Sequence, residues 1–374
     1  MTFSLAAAAC ASGDTSSVVE QTSIPAVASP VTTSLEVQPD QSFPEARCDA
    51  NREAGTITFL TGFDLAAAAS ILDVIVASDA GYYDELCLDV EIVPSLASRN
   101  YAAVASGDAQ FASGGSFSEL VAYVTETDAD LVAATIEGRT AIDTLIVRAG
   151  EATRLSDLAG TTLGVKGNLP PAVDVMLRGA GLEAGDDFDI VQVDGLDPVA
   201  HLATPDIVGV PGWKSNEVGV LERAGVGVAE FDPLDFGVPG SFGMIFTSAD
   251  FVAEHPTAAQ DFVRATLKGL GDAVADPAAA ARIAVEMIVE TGNPQSLSAD
   301  GEVFRWETEA ALILDGTPEG LGLGIPDPEV LQAELDAYDD LGLFAESSPE
   351  ADAFLAPTLV SDLYGAGETL VWPG

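Results

Sequence analysis

From Gly55 onward the chain alternates short apolar runs with helix-length stretches, and this order constrains the fold more than any other feature. Thr56-Ile57-Thr58-Phe59-Leu60 reads as a strand ending at Thr61-Gly62-Phe63-Asp64, and an Ala-rich helix is predicted over 66–77. Val90-Glu91-Ile92-Val93 gives a second strand, with a helix near 99–105. Gln110-Phe111-Ala112 leads into Ser113-Gly114-Gly115-Ser116 and a helix through Tyr123, and 131–136 reads as a fourth strand. Strands that alternate with helices pair in parallel, because each parallel neighbour needs a crossover connection, and helices then cover both sheet faces.

The pattern repeats after an apolar segment, Thr144-Leu145-Ile146-Val147, that reads as a crossing strand. A strand ending at Lys166 precedes Pro170-Pro171, where a helix start tolerates proline, and the helix runs to about Ala180. Strands over 189–193 and 207–210, a short helix from Pro198 and a helix over 217–224 complete the second set. A second apolar crossing follows at 240–247, and the rest of the chain reads as helices, with short helices and loops in its tail. The predicted fold is therefore α/β and bilobal: two parallel-sheet lobes, a two-strand hinge and a helical C-terminal part. Residues 48–140 plus 248–374 form lobe 1 in this reading, and residues 141–247 form lobe 2.

The N-terminus bears on compartment. Leu5-Ala6-Ala7-Ala8-Ala9-Cys10 is like the end of a bacterial lipoprotein signal, with small residues before a cysteine, so residues 1–10 are predicted as a partial signal and Cys10 as its lipidation site. Residues 11–47 are rich in Ser, Thr, Pro, Val and Gln without helical or strand period, which predicts a disordered tether. With Cys10 lipidated, Cys48 and Cys87 remain; they could form one disulfide, the alternative being two free thiols. No run approaches the roughly 18 to 20 apolar residues that span a bilayer, so membrane attachment is predicted through the lipid alone.

Fourteen basic residues face 60 acidic ones, a formal net charge of −46, which repels nucleic acid and anionic lipid surfaces. No Gly-Lys dipeptide, and so no phosphate loop of Walker type, and no Gly-x-Ser-x-Gly elbow occurs, and the two histidines, His201 and His255, have no metal-ligand spacing. Neither metal nor cofactor is expected, and no enzymatic activity. What recurs is a glycine- and aromatic-rich rim at predicted strand or lobe edges: Phe63-Asp64, Asn100-Tyr101, Gly114-Gly115-Ser116-Phe117, Trp213-Lys214-Ser215-Asn216-Glu217 and Gly240-Ser241-Phe242-Gly243. Glycines let backbone amides approach a ligand, aromatic faces stack on planar rings, and Asn, Ser and Glu add directional hydrogen bonds. Two of the three lysines, Lys166 and Lys214, also follow predicted strands, where the crevice of an open α/β sheet binds ligands.

Four segments carry a resemblance to a known group. They are Ala80-Gly81-Tyr82-Tyr83 before Leu88-Asp89-Val90-Glu91, Ala105-Ser106-Gly107-Asp108-Ala109-Gln110-Phe111, Leu158-Ala159-Gly160-Thr161-Thr162-Leu163-Gly164-Val165-Lys166, and His255-Pro256 before a long helix. Their order and spacing resemble the periplasmic substrate-binding proteins of ABC importers, in the group spanning nitrate, sulfonate and taurine binders and thiamine-pyrimidine-precursor binders. The resemblance covers about residues 55 to 370. It implies the type II periplasmic-binding-protein fold, a monomer acting by Venus-flytrap closure, and a membrane permease as partner. Lys214-Ser215-Asn216-Glu217 and Gly240-Ser241-Phe242-Gly243 look closer to the pyrimidine-precursor branch. Motif position then implies that Phe63, Asp64, Tyr101, Ser113, Gly114, Gly115, Ser116, Lys166, Trp213, Asn216, Glu217, Ser241 and Phe242 line the cleft. The implied ligand is a small planar heteroaromatic; riboflavin-like, sulfonate or nitrate ligands, or a pyrimidine-biosynthesis enzyme on the same fold, are the alternatives.

Overall fold

The computed structural model describes residues 35–195, 197–292, 298–344, 348–365 and 368–374. The predicted lipidation site Cys10 and the signal before it lie outside the described residues. The first half builds α1 (Glu45–Glu53), β1 (Thr56–Leu60), α2 (Leu72–Asp79), α3 (Tyr82–Glu85), β2 (Asp89–Val93), α4 (Ala97–Ala105), β3 (Phe111–Ser113), α5 (Phe117–Thr127) and β4 (Leu131–Gly138). The chain then crosses into β5 (Asp143–Arg148), β6 (Thr162–Val165), α6 (Pro171–Gly179), β7 (Asp189–Gln192), α7 (Pro198–Leu202), β8 (Ile207–Trp213), α8 (Glu217–Arg223) and β9 (Val228–Phe231). It returns through β10 (Phe242–Ser248) to α9 (Ala249–Glu254), α10 (Pro256–Ala275), α11 (Pro277–Thr291), α12 (Ala299–Gly316), α13 (Pro328–Tyr338) and α14 (Pro357–Val360).

These strands make two five-stranded sheets, ordered β2-β1-β3-β10-β4 and β7-β6-β8-β5-β9. Both are mixed. Parallel pairs join β1 to β2 and β3, and β6 to β7 and β8, as expected of helix-linked neighbours. The antiparallel members are the two crossing strands: β10 runs against β3 and β4, and β5 against β8 and β9. A strand that enters a sheet directly from the other lobe needs no crossover helix, so it arrives in the opposite direction.

Apolar residues of the central strands and the helices packed on them feed three clusters. One lies between the first sheet and α2, α10, α11 and α12, around Phe59, Phe111, Phe262 and Trp306. Trp306 of α12 is fully buried and its indole donates to the Ala273 carbonyl at 2.8 Å. The second cluster runs from Tyr101 and Phe246 of the first sheet's other face to Leu163, Met176 and Leu335, so both sheets share it across the hinge. The third, around Ile146, Ile207 and Leu221, covers the far face of the second sheet.

Three expectations are corrected. The folded body begins before residue 48: Val37 is buried and α1 starts at Glu45, because the Arg47 guanidinium is drawn inward onto Asp261 at 2.6 and 2.9 Å. The helix after β1 starts at Leu72 rather than near 66, because the amides of Ala67, Ala69 and Ser70 donate to buried carboxylates and Ser70 takes a left-handed φ of 58°. Strand β9 carried no apolar run long enough to read; Val228-Ala229-Glu230-Phe231 becomes a strand by pairing with β5. Cys48 and Cys87 form the disulfide, tying α1 to the turn before β2.

Asp261 concentrates much of the N-terminal anchoring. It is fully buried and accepts from Arg47, Asn51 at 2.8 Å and Arg264 at 3.1 Å. Removing one partner of a buried ion pair leaves charge uncompensated and costs about 3–5 kcal/mol. Asp261→Ala is therefore expected to lose stability on that scale in a urea titration; a loss within about 0.5 kcal/mol, the size of an ordinary surface substitution, would contradict the reading.

Candidate functional site

The loops that leave β1 and β3 carry most of the lobe-1 candidates. Asn100, fully buried on α4, ties them together by donating to the carbonyls of Thr61 at 3.0 Å and Ser113 at 2.8 Å. Gly62 is obligatory here, since a Cβ would lie 2.6 Å from the Ser113 hydroxyl. This scaffold leaves Phe63 outside the core, 46 % exposed, next to exposed Leu96, with which it bridges. Asp64 is half-buried, at a φ of 47° that the Asp64 amide secures by donating to the Ser95 carbonyl.

Other lobe-1 candidates are committed to the fold. Ser113 is buried and its hydroxyl pairs with that of Ser70 at 2.6 Å. Ser116 caps α5 by accepting from the Glu119 amide at 3.3 Å. Ser241 is buried and accepts from the Phe117 amide at 2.8 Å, and Phe242 is core, packed over Gly138, which has no side chain to obstruct it. Tyr101 is 7 % exposed and stacks on Phe246 at 4.7 Å and Tyr123 at 5.1 Å, yet its hydroxyl faces the Gly114-Gly115 turn without a partner at hydrogen-bonding geometry.

The lobe-2 wall forms at the ends of β6 and β8. Lys166 is exposed, and the turn that carries it is fixed by Gln192, which bonds the Gly167 amide and carbonyl at 3.1 and 2.9 Å. Strand β8 extends to Trp213, which is 42 % exposed and whose amide donates to Glu217 at 2.8 Å. Lys214, singled out by its scarcity, turns away from any ligand: its ammonium is buried and bonds Asp232 at 2.7 Å and the Ala141 carbonyl at 2.8 Å. Asn216 accepts from Arg305 of α12 at 3.0 Å, and Ser215 donates to Glu309 at 2.6 Å, so this loop is held by a C-terminal helix. Phe63, Asp64, Lys166, Trp213 and Glu217 remain with surface open at the strand ends.

Two further residues escaped sequence reading. Asp143 opens β5 directly opposite Trp213, and Glu119 stands in the first turn of α5, its carboxylate folded against Gly115. Glu119 retains exposed surface; loss of solvent around its carboxylate and then repulsion from buried Glu334 push its carboxyl up to about 7. Asp143 is half-buried and is likewise pushed up to about 7, first by desolvation, then by Glu119 and Glu217, with Lys214 opposing. A usable signal for Glu119 was Ser116-Phe117-Ser118-Glu119, the spacing that sets a carboxylate at a helix start. Nothing comparable marks Asp143 among 60 acidic residues.

Two mixed α/β sheets joined by paired crossings, with open loops at the strand ends of both, define the bilobal type II periplasmic-binding-protein fold. Solved structures share it: the periplasmic aliphatic sulphonate binding protein SsuA from Escherichia coli has a TM-score of 0.59 at 13% identity, covering 80% of this chain and 92% of that one. The ligand binding component of an ABC-type import system from Staphylococcus aureus gives 0.60 at 16% identity, over 84% and 99%. The desulfurization enzyme DSZB gives 0.54 at 15% identity, over 81% and 97%, so the fold also hosts catalysis. No curated protein matches this chain. Residues 68–280 match the family model described as NMT1/THI5 like, and the chain belongs to that family.

The buried carboxyls give the protein a definite pH response. Asp73 is pushed up to about 7 by burial, and its neighbour Glu137, fully buried and facing Asp73, is held well above the usual carboxylate range. A carboxyl whose folded pKa is raised favours folding while protonated, so that stability is full below about 4 and is lost as pH rises through about 7. The melting temperature is expected to fall between pH 5 and 8, measured by differential scanning calorimetry in buffers within that interval. Asp73→Asn should flatten the decline; an unchanged slope would remove this pair as its source.

Proposed function

We propose that this chain is an extracytoplasmic solute receptor that carries a small planar heteroaromatic, of thiamine-pyrimidine-precursor type, to an ABC importer by closure of its two lobes. The observation that carries the proposal is the pair of exposed aromatics at the strand ends, Phe63 of lobe 1 at 46 % and Trp213 of lobe 2 at 42 %. Large aromatics left in water at a cleft rim serve best as stacking faces. A ring gripped from both lobes contacts more surface in the closed form, and that differential contact is what drives closure. The lobes are residues 35–140 plus 248–374 and residues 141–247, hinged at the two crossings.

The Cys48–Cys87 disulfide supports an oxidising compartment, and anchoring through Cys10 completes the proposed placement. Family membership and the folds of SsuA and the Staphylococcus import component support the receptor class. Lys166, exposed on the lobe-2 rim, favours the sulfonate reading that SsuA's name suggests, but it lines one pocket together with the carboxylate-bearing Glu217.

A thermal-shift panel of hydroxymethylpyrimidine, its formyl derivative, riboflavin, taurine and nitrate tests the reading. A ligand at one hundred times its Kd is worth about 2.7 kcal/mol of added stability. The pyrimidines are expected to raise the melting temperature, and Trp213→Ala to weaken their binding about tenfold, roughly 1.4 kcal/mol, without unfolding the protein. A shift with taurine alone would transfer the protein to the sulfonate branch, and unchanged affinity in Trp213→Ala would take that residue out of the site.

A further inference from the structure

We infer that the cleft floor is a cation-selecting subsite, built by Glu119, Asp143 and Glu217 with the Tyr101 hydroxyl, which takes a protonated amine or positively charged ring nitrogen and excludes sulfonates. The inference rests on the receptor reading above and adds the charge of the ligand.

The three carboxylates come from different elements: Glu119 from α5 of lobe 1, Asp143 from the start of β5 beside the hinge, and Glu217 from the start of α8. Asp143 is the strand partner of Trp213, whose amide Glu217 accepts at 2.8 Å, and the Glu119 carboxylate lies against Gly115 at the turn beside the Tyr101 hydroxyl; the charges of both Glu119 and Glu217 reach Asp143. Among the described residues no arginine or lysine forms an ion pair with any of them. Lys214, the cation whose charge reaches Asp143, has already given its ammonium to Asp232 and the Ala141 carbonyl.

The second observation is independent of these acids. Tyr101 is buried between two aromatic rings, and its hydroxyl points out of that stack at the turn before α5, beside the Gly115 backbone and without a side-chain partner. Unsatisfied buried polar atoms cost free energy, and a ligand group fills such a vacancy well. Burial, and then the Glu119 charge, keep this phenol protonated, with the nearby Gly115 backbone opposing weakly. A neutral hydroxyl has lone pairs to accept from an ammonium, as do the carboxylates. A sulfonate would instead meet three like charges.

The groups facing this subsite also set its pH dependence. Glu334 and Tyr101 face Glu119, while Glu119, Glu217, Lys214 and Tyr338 face Asp143. Glu119 and Asp143 ionise near 7, so cation binding should strengthen as pH rises from 6 to 8.

Isothermal titration calorimetry on the full chain at pH 8 with benzylammonium, benzyl alcohol and benzenesulfonate separates charge from ring shape, and ethylammonium against ethanesulfonate repeats the comparison without a ring. Benzylammonium is expected to bind at least tenfold more tightly than benzenesulfonate. Glu119→Gln and Asp143→Asn should each weaken benzylammonium severalfold and weaken benzyl alcohol much less. Equal or tighter sulfonate binding, or an amine preference that survives in the double variant, would overturn the inference while the receptor reading stands. Ethylammonium preferred over ethanesulfonate with no ring-bearing probe bound would keep the charge selection and sink the planar-ring reading. No binding by any of the five would sink both.

Discussion

Residues 65–71, between β1 and α2, are held by carboxylates that arrive from distant parts of the chain, and the relation of the two lobes follows from this. Glu302 of α12 accepts from the Ala67 amide at 2.8 Å, Glu309 from Ala69 at 2.5 Å, and Glu137 of β4 from Ser70 at 2.5 Å. Amides at a helix start carry partial positive charge, so buried carboxylates are stabilised there as they would be by a cation. Glu309 does more than cap. Its second oxygen accepts from Ser215 of the β8–α8 loop at 2.6 Å, so one side chain joins both lobes through α12. Arg305, bridging Glu302 and Asn216, and Phe304, packed on Gly219 and beneath Arg223, extend the same contact.

That arrangement explains why part of the chain was legible as sequence and part was not. Strands β1, β2 and β6 were readable because their apolar runs end at glycines or turn residues, and their pairing partners have the same local signature. The start of α2 was unreadable: Leu65-Ala66-Ala67-Ala68-Ala69 has strong helix propensity, and it is overridden by acceptors more than sixty residues away in sequence. Among site residues, Phe63 and Trp213 stood out because aromatics at strand ends are few. Ser113, Ser241 and Phe242 had the same local character, and only tertiary structure assigns them to packing and capping.

Charge shows the same division. The excess of 60 acidic over 14 basic residues is visible at once, but its use depends on where the few cations are spent. Arg47 and Arg264 compensate Asp261, Arg305 compensates Glu302, and Lys214 compensates Asp232. Structural ion pairs therefore consume cations next to the hinge and the α12 contact, and the cleft acids are left without them. The field of the whole protein, a net −46, adds attraction for cations at long range, screened beyond about 8 Å at physiological salt.

Carboxylates drawn from α5, β5 and α8 also have a mechanical consequence. Closing an empty cleft brings like charges of both lobes into a less solvated space, where their repulsion grows. On the proposed reading, this repulsion would favour the open form when nothing is bound. In the subsite we propose, a cation between Glu119, Asp143 and Glu217 would offset that repulsion and so favour closure. Such a ligand shifts the closure equilibrium by its differential affinity for the two states, which is the quantity a receptor must maximise. A neutral ring clasped by Phe63 and Trp213 adds stacking energy but leaves the repulsion in place, so charge and ring together close the lobes more fully than either alone.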